Sequence, residues 1–229
     1  MPLSGKGMLV NFMDVDPAVE QDFNRWYDKE HVAERVAIPG FLEARRYVAQ
    51  PAPSESAPPK YLALYTTETF ETLTSPAYRQ ALQNQTEWSM RHIPNFRNPT
   101  RALVRITASR GQGRGGALAF LRLRPAEGSE DGLRAAIMER LPKVADRDGV
   151  ISAHLLESDA ELSKPLVRPE AAPPGAGDWY VLVDGTDPEA VRRAAEEAFG
   201  PQALPPGGKV VLFAVYRLLW DLSKAELER

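Results

Sequence analysis

The feature that most constrains this chain is a weak internal repeat. Residues from about 8 to 109 lie over residues from about 116 to 222, and each half reads strand, helix, strand, strand, helix, strand. In the first half, MLVNFMDV (8–15) predicts a strand. Asp16-Pro17 opens a helix, with the acid at the cap and proline at the first helical position, and the helix runs to His31–Ile38. Pro39-Gly40 ends it, strands follow over 41–50 and 61–68, and a second helix is expected over Thr69–Gln85. An irregular stretch over 88–100 then precedes a strand over 101–109. The second half repeats this order with strands over 117–124, 151–158, 179–185 and 210–220 and helices over 130–143 and 188–199. Proline-rich loops occupy 51–60 and 164–177.

Two such βαββαβ units of about 100 residues each fit the split βαβ, ferredoxin-like plan. The expected fold class is therefore α+β: two tandem ferredoxin-like units with antiparallel sheets, forming an α/β barrel within the chain or by dimerisation. The N-terminal unit spans 1–110 and the C-terminal unit 117–229, with a glycine-rich linker over 111–116. Gly111, Gly113 and Gly116 match G-x-G-x-x-G in spacing, but a strand follows them. No helix N-terminus is presented to a pyrophosphate, so the linker reading prevails.

Charge and composition remove whole classes of function. With 28 basic against 31 acidic residues the formal net charge is -3, which leaves no surplus to draw the chain to a phosphate backbone, and no nucleic-acid partner is expected. There is no cysteine, so thiolate chemistry, disulfides and Cys-type zinc sites are absent. No apolar run approaches the ~20 residues of a membrane span, and MPLSGKGMLVNF lacks a signal-peptide layout. A cytoplasmic protein without a membrane partner is expected. The three histidines, His31, His92 and His154, have no shared metal spacing, so neither metal nor other cofactor is expected.

The first helix carries the chemistry. At 100° per residue, Val19, Phe23, Trp26, Ala33 and Ala37 form one apolar face, and Glu30 falls on the same line, with Glu34, Tyr27 and His31 to one side. A carboxylate within an apolar stripe must be paired, neutral or open to a cavity. Glu30 therefore either belongs to a site, pairs with Arg45 or Arg46, or escapes through fraying of the helix. His31 is either a dipole-favoured helix-end charge or a cavity-facing acid/base group oriented by Tyr27, Glu30 or Glu34.

The run Phe23-Asn24-Arg25-Trp26-Tyr27-Asp28-Lys29-Glu30-His31, followed by Ile38-Pro39-Gly40-Phe41 and Arg45-Arg46-Tyr47, resembles the EthD-like branch of the dimeric α/β-barrel superfamily. The resemblance covers about 30 residues. It implies a ferredoxin-like barrel, and it makes His31 the match for a helix-end pocket histidine. Activities in that superfamily include cofactor-free monooxygenases, muconolactone isomerase-like enzymes, stress proteins and the heme-binding relatives of chlorite dismutase. The first helix of the second half, GLRAAIMERLPKV, lacks the motif, which assigns the candidate site to the N-terminal unit.

In a barrel of this kind each strand turns one face to helices and one to the interior. Alternation sends Leu42, Ala44 and Val48 to the helix side of the second strand and Phe41, Glu43, Arg45 and Tyr47 inward, with Asn11, Met13, Tyr61, Tyr65, Leu103 and Arg105 expected on the same inner face. The expectation is thus a cavity for a small organic ligand, with His31, Glu30, Glu34 and Tyr27 as catalytic groups and Asn11, Trp26, Arg45, Tyr47, Tyr61, Tyr65 and Arg105 as ligand contacts. The expected function is acid/base chemistry by a lyase, isomerase or monooxygenase on an aromatic or oxygenated substrate. A non-catalytic ligand-binding or stress protein, or a heme protein, are the alternatives, and a homodimer or higher homo-oligomer is compatible with the plan.

Overall fold

Each half of the repeat supplies four antiparallel strands. The computed structural model describes residues 3–51, 57–164 and 177–227. The first half contributes β1 (Gly7–Val15), β2 (Phe41–Ala49), β3 (Tyr61–Thr67) and β4 (Phe96–Gly111). The second contributes β5 (Ala117–Pro125), β6 (Val150–Ser158), β7 (Trp179–Gly185) and β8 (Gly208–Ser223). Most of the proline-rich loop expected over 164–177, and residues 52–56 of the earlier one, lie outside the described residues.

The strand orders are β4-β1-β3-β2 and β8-β5-β7-β6, the same order twice, and the sheets join through β2–β8 and β4–β6 into one closed eight-stranded barrel within the chain. Closure depends on β4 and β8, each 16 residues long. The first part of β4 pairs with β1 and its last part with β6, and β8 serves β5 and β2 in the same way. No described sheet edge is left unpaired. Gly111 ends β4 and Gly113 lies in the turn to β5, with φ of +81° at each.

Several boundaries differ from the sequence expectation for local reasons. The first helix begins at Glu20, because the Asp16 carboxylate accepts from Ala18 N at 2.9 Å and holds residues 16–19 in a turn. The helix expected over Thr69–Gln85 divides into a 3₁₀ turn (Phe70–Thr74) and α3 (Pro76–Gln83). Pro76 has no N–H to continue a helix, and Ser75 caps the new one by accepting from Tyr78 N at 3.2 Å. The stretch read as irregular contains α4 (Glu87–His92), capped by Thr86, and β4 starts at Phe96. In the second half α5 (Glu130–Ala145) and α6 (Pro188–Phe199) cover the sheet.

The barrel interior is a packed core. Met8, Val10, Phe12, Leu62, Leu64, Ala102 and Val104 of the first half meet Leu118, Phe120, Leu156, Tyr180, Leu182 and Tyr216 of the second, and Phe12 stands edge-on to Phe120 at 6.0 Å. One end of this interior is polar. Arg45 Nη1 donates to Tyr47 Oη at 3.0 Å and to Asp184 Oδ1 at 3.1 Å, and His154 is held between Ser109 and Ser152 at 2.9 and 3.0 Å.

This arrangement corrects the facing of three strands. Arg45 opposes Leu64 and Tyr47 opposes Leu62, all toward the interior, whereas Ala44 opposes Tyr65, and Tyr65 opposes Leu9. Asn11, Met13, Tyr61, Tyr65 and Leu103 therefore lie on the outer, helix-covered face, and Arg105 lies at the exposed rim of that face, paired with Glu71. Phe41 also lies outside, because the register shifts between Phe41 and Glu43 and reverses the alternation at that point. The alternation misleads because β1 and β3 are buried on both faces and show no polar period.

Arg45 and Asp184 are at most 1% exposed and depend on each other. Removing one charge leaves its partner buried and uncompensated. Arg45→Met or Asp184→Leu is expected to cost about 3–5 kcal/mol in denaturant unfolding, and the double variant less than either single one.

Candidate functional site

The helix entering from β1 is interrupted where the chemistry lies. α1 (Glu20–Trp26) passes into a π turn (Tyr27–His31) and then into α2 (Val32–Ala37), with Val32 N–H bonded to Tyr27 O, five residues back. The extra residue rotates the following turns by one position. In an uninterrupted α-helix, Glu30, Ala33 and Ala37 would share the face of Phe23 and Trp26. Here Tyr27, His31, Val32, Arg35 and Val36 are buried instead, while Ala37 is exposed. This turn corrects the expected face and brings His31 inward. Beyond it, Pro39-Gly40 turns the chain into β2, with Gly40 at φ +83° and an added Cβ only 2.8 Å from the Thr72 side chain.

Between this helix and the outer face of β1, β3 and β4 lies a cavity of about 290 Å³. It is closed on the far side by α3 and the segment leading into β4. Its apolar walls come from Leu9, Met13, Leu82, Ile93 and Phe96, and its polar groups from Asn11, Tyr27, His31, Arg35, Tyr65, Tyr78, Gln85, Thr100 and Arg101. Sparse polar groups on apolar walls characterise small-ligand sites.

His31 is 8% exposed, and its Nδ1 is buried with no hydrogen-bond partner. Its ring lies 4.3 Å from that of Trp26, on which His92 also stacks at 5.3 Å. Burial, followed by the charges of Arg35 and Arg46, pushes the imidazole well below its ordinary range, so it is neutral near pH 7. Tyr65 is fully buried, and its hydroxyl lies beside that of Tyr27 without a hydrogen bond of ordinary geometry. Burial raises its phenol well above the ordinary value, leaving it a proton donor.

The other predicted residues are distributed as follows. Tyr27, Asn11 and Tyr65 line the cavity with His31. Glu30 takes a hydrogen bond from Thr86 Oγ1 at 2.6 Å and pairs with neither Arg45 nor Arg46, and Arg46 instead bonds Asp28 at 2.7 Å. Glu34 is half-buried outside the cavity, its carboxyl pushed up by burial and by Glu30. Trp26 is sealed behind His31 and donates to Ser89 Oγ at 3.2 Å. Tyr61 bonds Asn24 and Glu20 outside the lining. Arg45 and Tyr47 belong to the barrel interior, and Arg105 to the rim.

The sequence reading misses Arg35, Tyr78, Gln85, Thr100 and Arg101. Arg35 reads as a solvated helix charge until the π turn rotates it inward, and Arg101 sits opposite Asn11 on the face assigned to the interior. Among the described residues no group of three or more His, Asp or Glu side chains is placed to hold a metal ion. No helix of the described chain is long and apolar enough to cross a membrane.

No protein-family model matches this chain, and no curated protein sequence matches it. Solved structures do. An anthrone oxidase-like protein superposes with a TM-score of 0.66 at 10% identity, covering 99% of this chain and 96% of that one. A candidate monooxygenase from Fusobacterium nucleatum subsp. nucleatum gives 0.59 at 10% identity, covering 96% and 95%. A heme-binding protein from Thermus thermophilus gives 0.51 at 14% identity, covering 95% and 92%. These likenesses establish the α/β-barrel fold. A heme does not fit the cavity described above. About 290 Å³ is at the low end for even a drug-sized ligand, and of the other histidines His92 is tied to Asp22 at 2.9 Å and His154 is sealed in the barrel.

Two histidines should stay neutral in acid: His31, and His154, which burial pushes down to about 3. An unfolded histidine takes up its proton near pH 6.5, whereas these two do not while folded. Their contribution to stability is complete above pH 6.5 and is lost as the pH falls below it. Asp184 works the other way, since burial raises its carboxyl. In an NMR titration the His31 and His154 ring protons should show no midpoint near 6.5. His31→Gln should flatten the loss of stability between pH 6.5 and 4 by up to roughly 1.4 kcal/mol per pH unit.

Proposed function

We propose that the protein is an enzyme acting on a small aromatic or oxygenated molecule, with His31 as its general base, and that it belongs with the EthD-like branch that its F-x-x-W-Y-x-x-x-H run resembles. One observation carries this reading. A neutral, buried imidazole with an unpartnered Nδ1 faces a cavity that also holds Tyr65, whose hydroxyl is buried without a hydrogen bond of ordinary geometry. Structure alone gives little reason to leave both groups unsatisfied, since each costs about 1–3 kcal/mol.

A ligand with a carbonyl beside an acidic C–H bond uses both groups. His31 takes the proton, the C–H electron pair moves into the carbonyl to give an enolate or phenolate, and the Tyr65 hydroxyl donates to the oxygen on which charge develops. Tyr27 packs edge-on to His31 at 5.1 Å and fixes its ring. Two outcomes then balance. Return of the proton to another carbon of the conjugated system is an isomerisation. Capture of the carbanion by dioxygen is an oxidation, in which a methylene becomes a carbonyl as one O₂ gives one carbonyl oxygen and one water. The likeness to the anthrone oxidase-like protein and to the candidate monooxygenase favours dioxygen as the second reactant. No metal or organic cofactor enters these steps.

The test is oxygen uptake and product analysis with anthrone and a short series of hydroxylated anthrones and cyclic 1,3-diketones. The wild-type protein should turn over at least one. His31→Gln should lower its kcat by about 10²–10⁴-fold while the folded protein keeps its circular-dichroism spectrum. A variant as active as wild type would overturn the assignment of His31. A ligand bound by the wild type and returned unchanged would point to a ligand-holding protein.

A further inference from the structure

Four arginines are buried among the described residues, and three of them face carboxylates: Arg45 with Asp184, Arg46 with Asp28 and Arg122 with Asp178. Arg35 is the exception. At 5% exposure it donates to Ala81 O at 3.3 Å and to Gln85 Oε1 at 2.7 Å, both neutral acceptors, and it forms no described ion pair. Glu34, its neighbour in sequence, feels the charge of Arg35 through space but forms no described ion pair with it and is not part of the cavity wall. Across the cavity Arg101, only half-buried, likewise meets no carboxylate. It reaches Leu162 O and Tyr78 Oη only at 3.4 Å, its Nε is buried without a partner, and it too forms no described ion pair.

The cavity therefore carries two guanidinium groups and no acidic side chain, in a chain whose net charge is -3. A desolvated cation without a counter-charge is costly, and a guanidinium fork matches a carboxylate or phenolate oxygen in two-point geometry. We infer that the ligand of this cavity is an organic anion, an aromatic carboxylate or phenolate, whose charged group is held by Arg35 and Arg101 while its carbon skeleton lies against His31 and Phe96. The inference deepens the proposed function by naming its substrate class, and the catalytic part of it rests on that reading. It also bears on the base. Arg35 is one of the charges that hold the proton affinity of His31 down, so an anion bound against Arg35 offsets that charge as it arrives.

Binding tests the inference separately from turnover. Isothermal titration of 2-naphthoate, benzoate and salicylate, each against its neutral carboxamide, is run on the wild type, Arg35→Gln, Arg101→Gln and His31→Gln. At least one carboxylate should bind tenfold or more tightly than its amide. Each arginine variant should lose tenfold or more for that carboxylate, about 1.4 kcal/mol, with amide binding unchanged. Arg101 is only half-buried, so its variant tests the point even if Arg35→Gln does not fold. Equal binding of acid and amide, unchanged carboxylate affinity in Arg101→Gln, or no binding of any carboxylate would overturn the inference. Carboxylate binding that depends on the arginines, together with full turnover by His31→Gln, would leave the anion site standing and remove the proposed base.

Discussion

The hydrogen-bonded closure of the barrel governs where everything else in this protein can lie. β4 and β8 are long enough to pair on both sides, so two four-stranded sheets become one ring with no described free edge. An eight-stranded ring has room for its own side chains or for one small ligand, and here Phe12, Phe120, Tyr180 and Tyr216 fill it. The Arg45–Asp184 pair and the hydrogen-bonded His154 complete its polar end. A ligand space must then form on the outside of the sheet, beneath the helices, and in the N-terminal half it does.

A second constraint acts within that helix layer. One residue more than an α-helix holds, accommodated as the π turn Tyr27–His31, decides which side chains reach the cavity. It withdraws Glu30 to a hydrogen bond with Thr86 and turns His31 and Arg35 inward. An imidazole held neutral by burial and a buried Arg35 with no carboxylate in the cavity are costly to the fold, and a bound anion relieves the second of these costs. Base and anion site are thereby electrostatically linked.

The features legible in the sequence are those set by local chemistry. The duplicated βαββαβ order was read from strand and helix patterns and turn residues, and the fold class followed from it. His31 could be singled out because its F-x-x-W-Y-x-x-x-H run resembles a family motif, although the helix continues six residues past it to Ala37 rather than ending there. The facing of β1 and β3 cannot be read, because strands buried on both sides carry no polar alternation, and β4 is misfaced with them by the matching parity, so the sequence reading places Asn11 and Tyr65 in the interior and Arg45 and Tyr47 in the site. Arg35 was invisible for a different reason: a π turn leaves no mark in residue spacing. Pro76 does leave a mark as a helix breaker, inside the span read as one helix over 69–85.

A ligand seated between α2 and the outer face of the sheet, with its charge on the two arginines and its ring against His31, is what joins these constraints to a function. A crystal structure of the protein with bound 2-naphthoate tests this most directly. Ligand density is expected in the cavity, with the carboxylate within 3.5 Å of a guanidinium nitrogen of Arg35 or Arg101, and a barrel interior still closed by Phe12 and Phe120. Ligand found only elsewhere, in the barrel or in the groove beside Arg192 and Phe213, would contradict it.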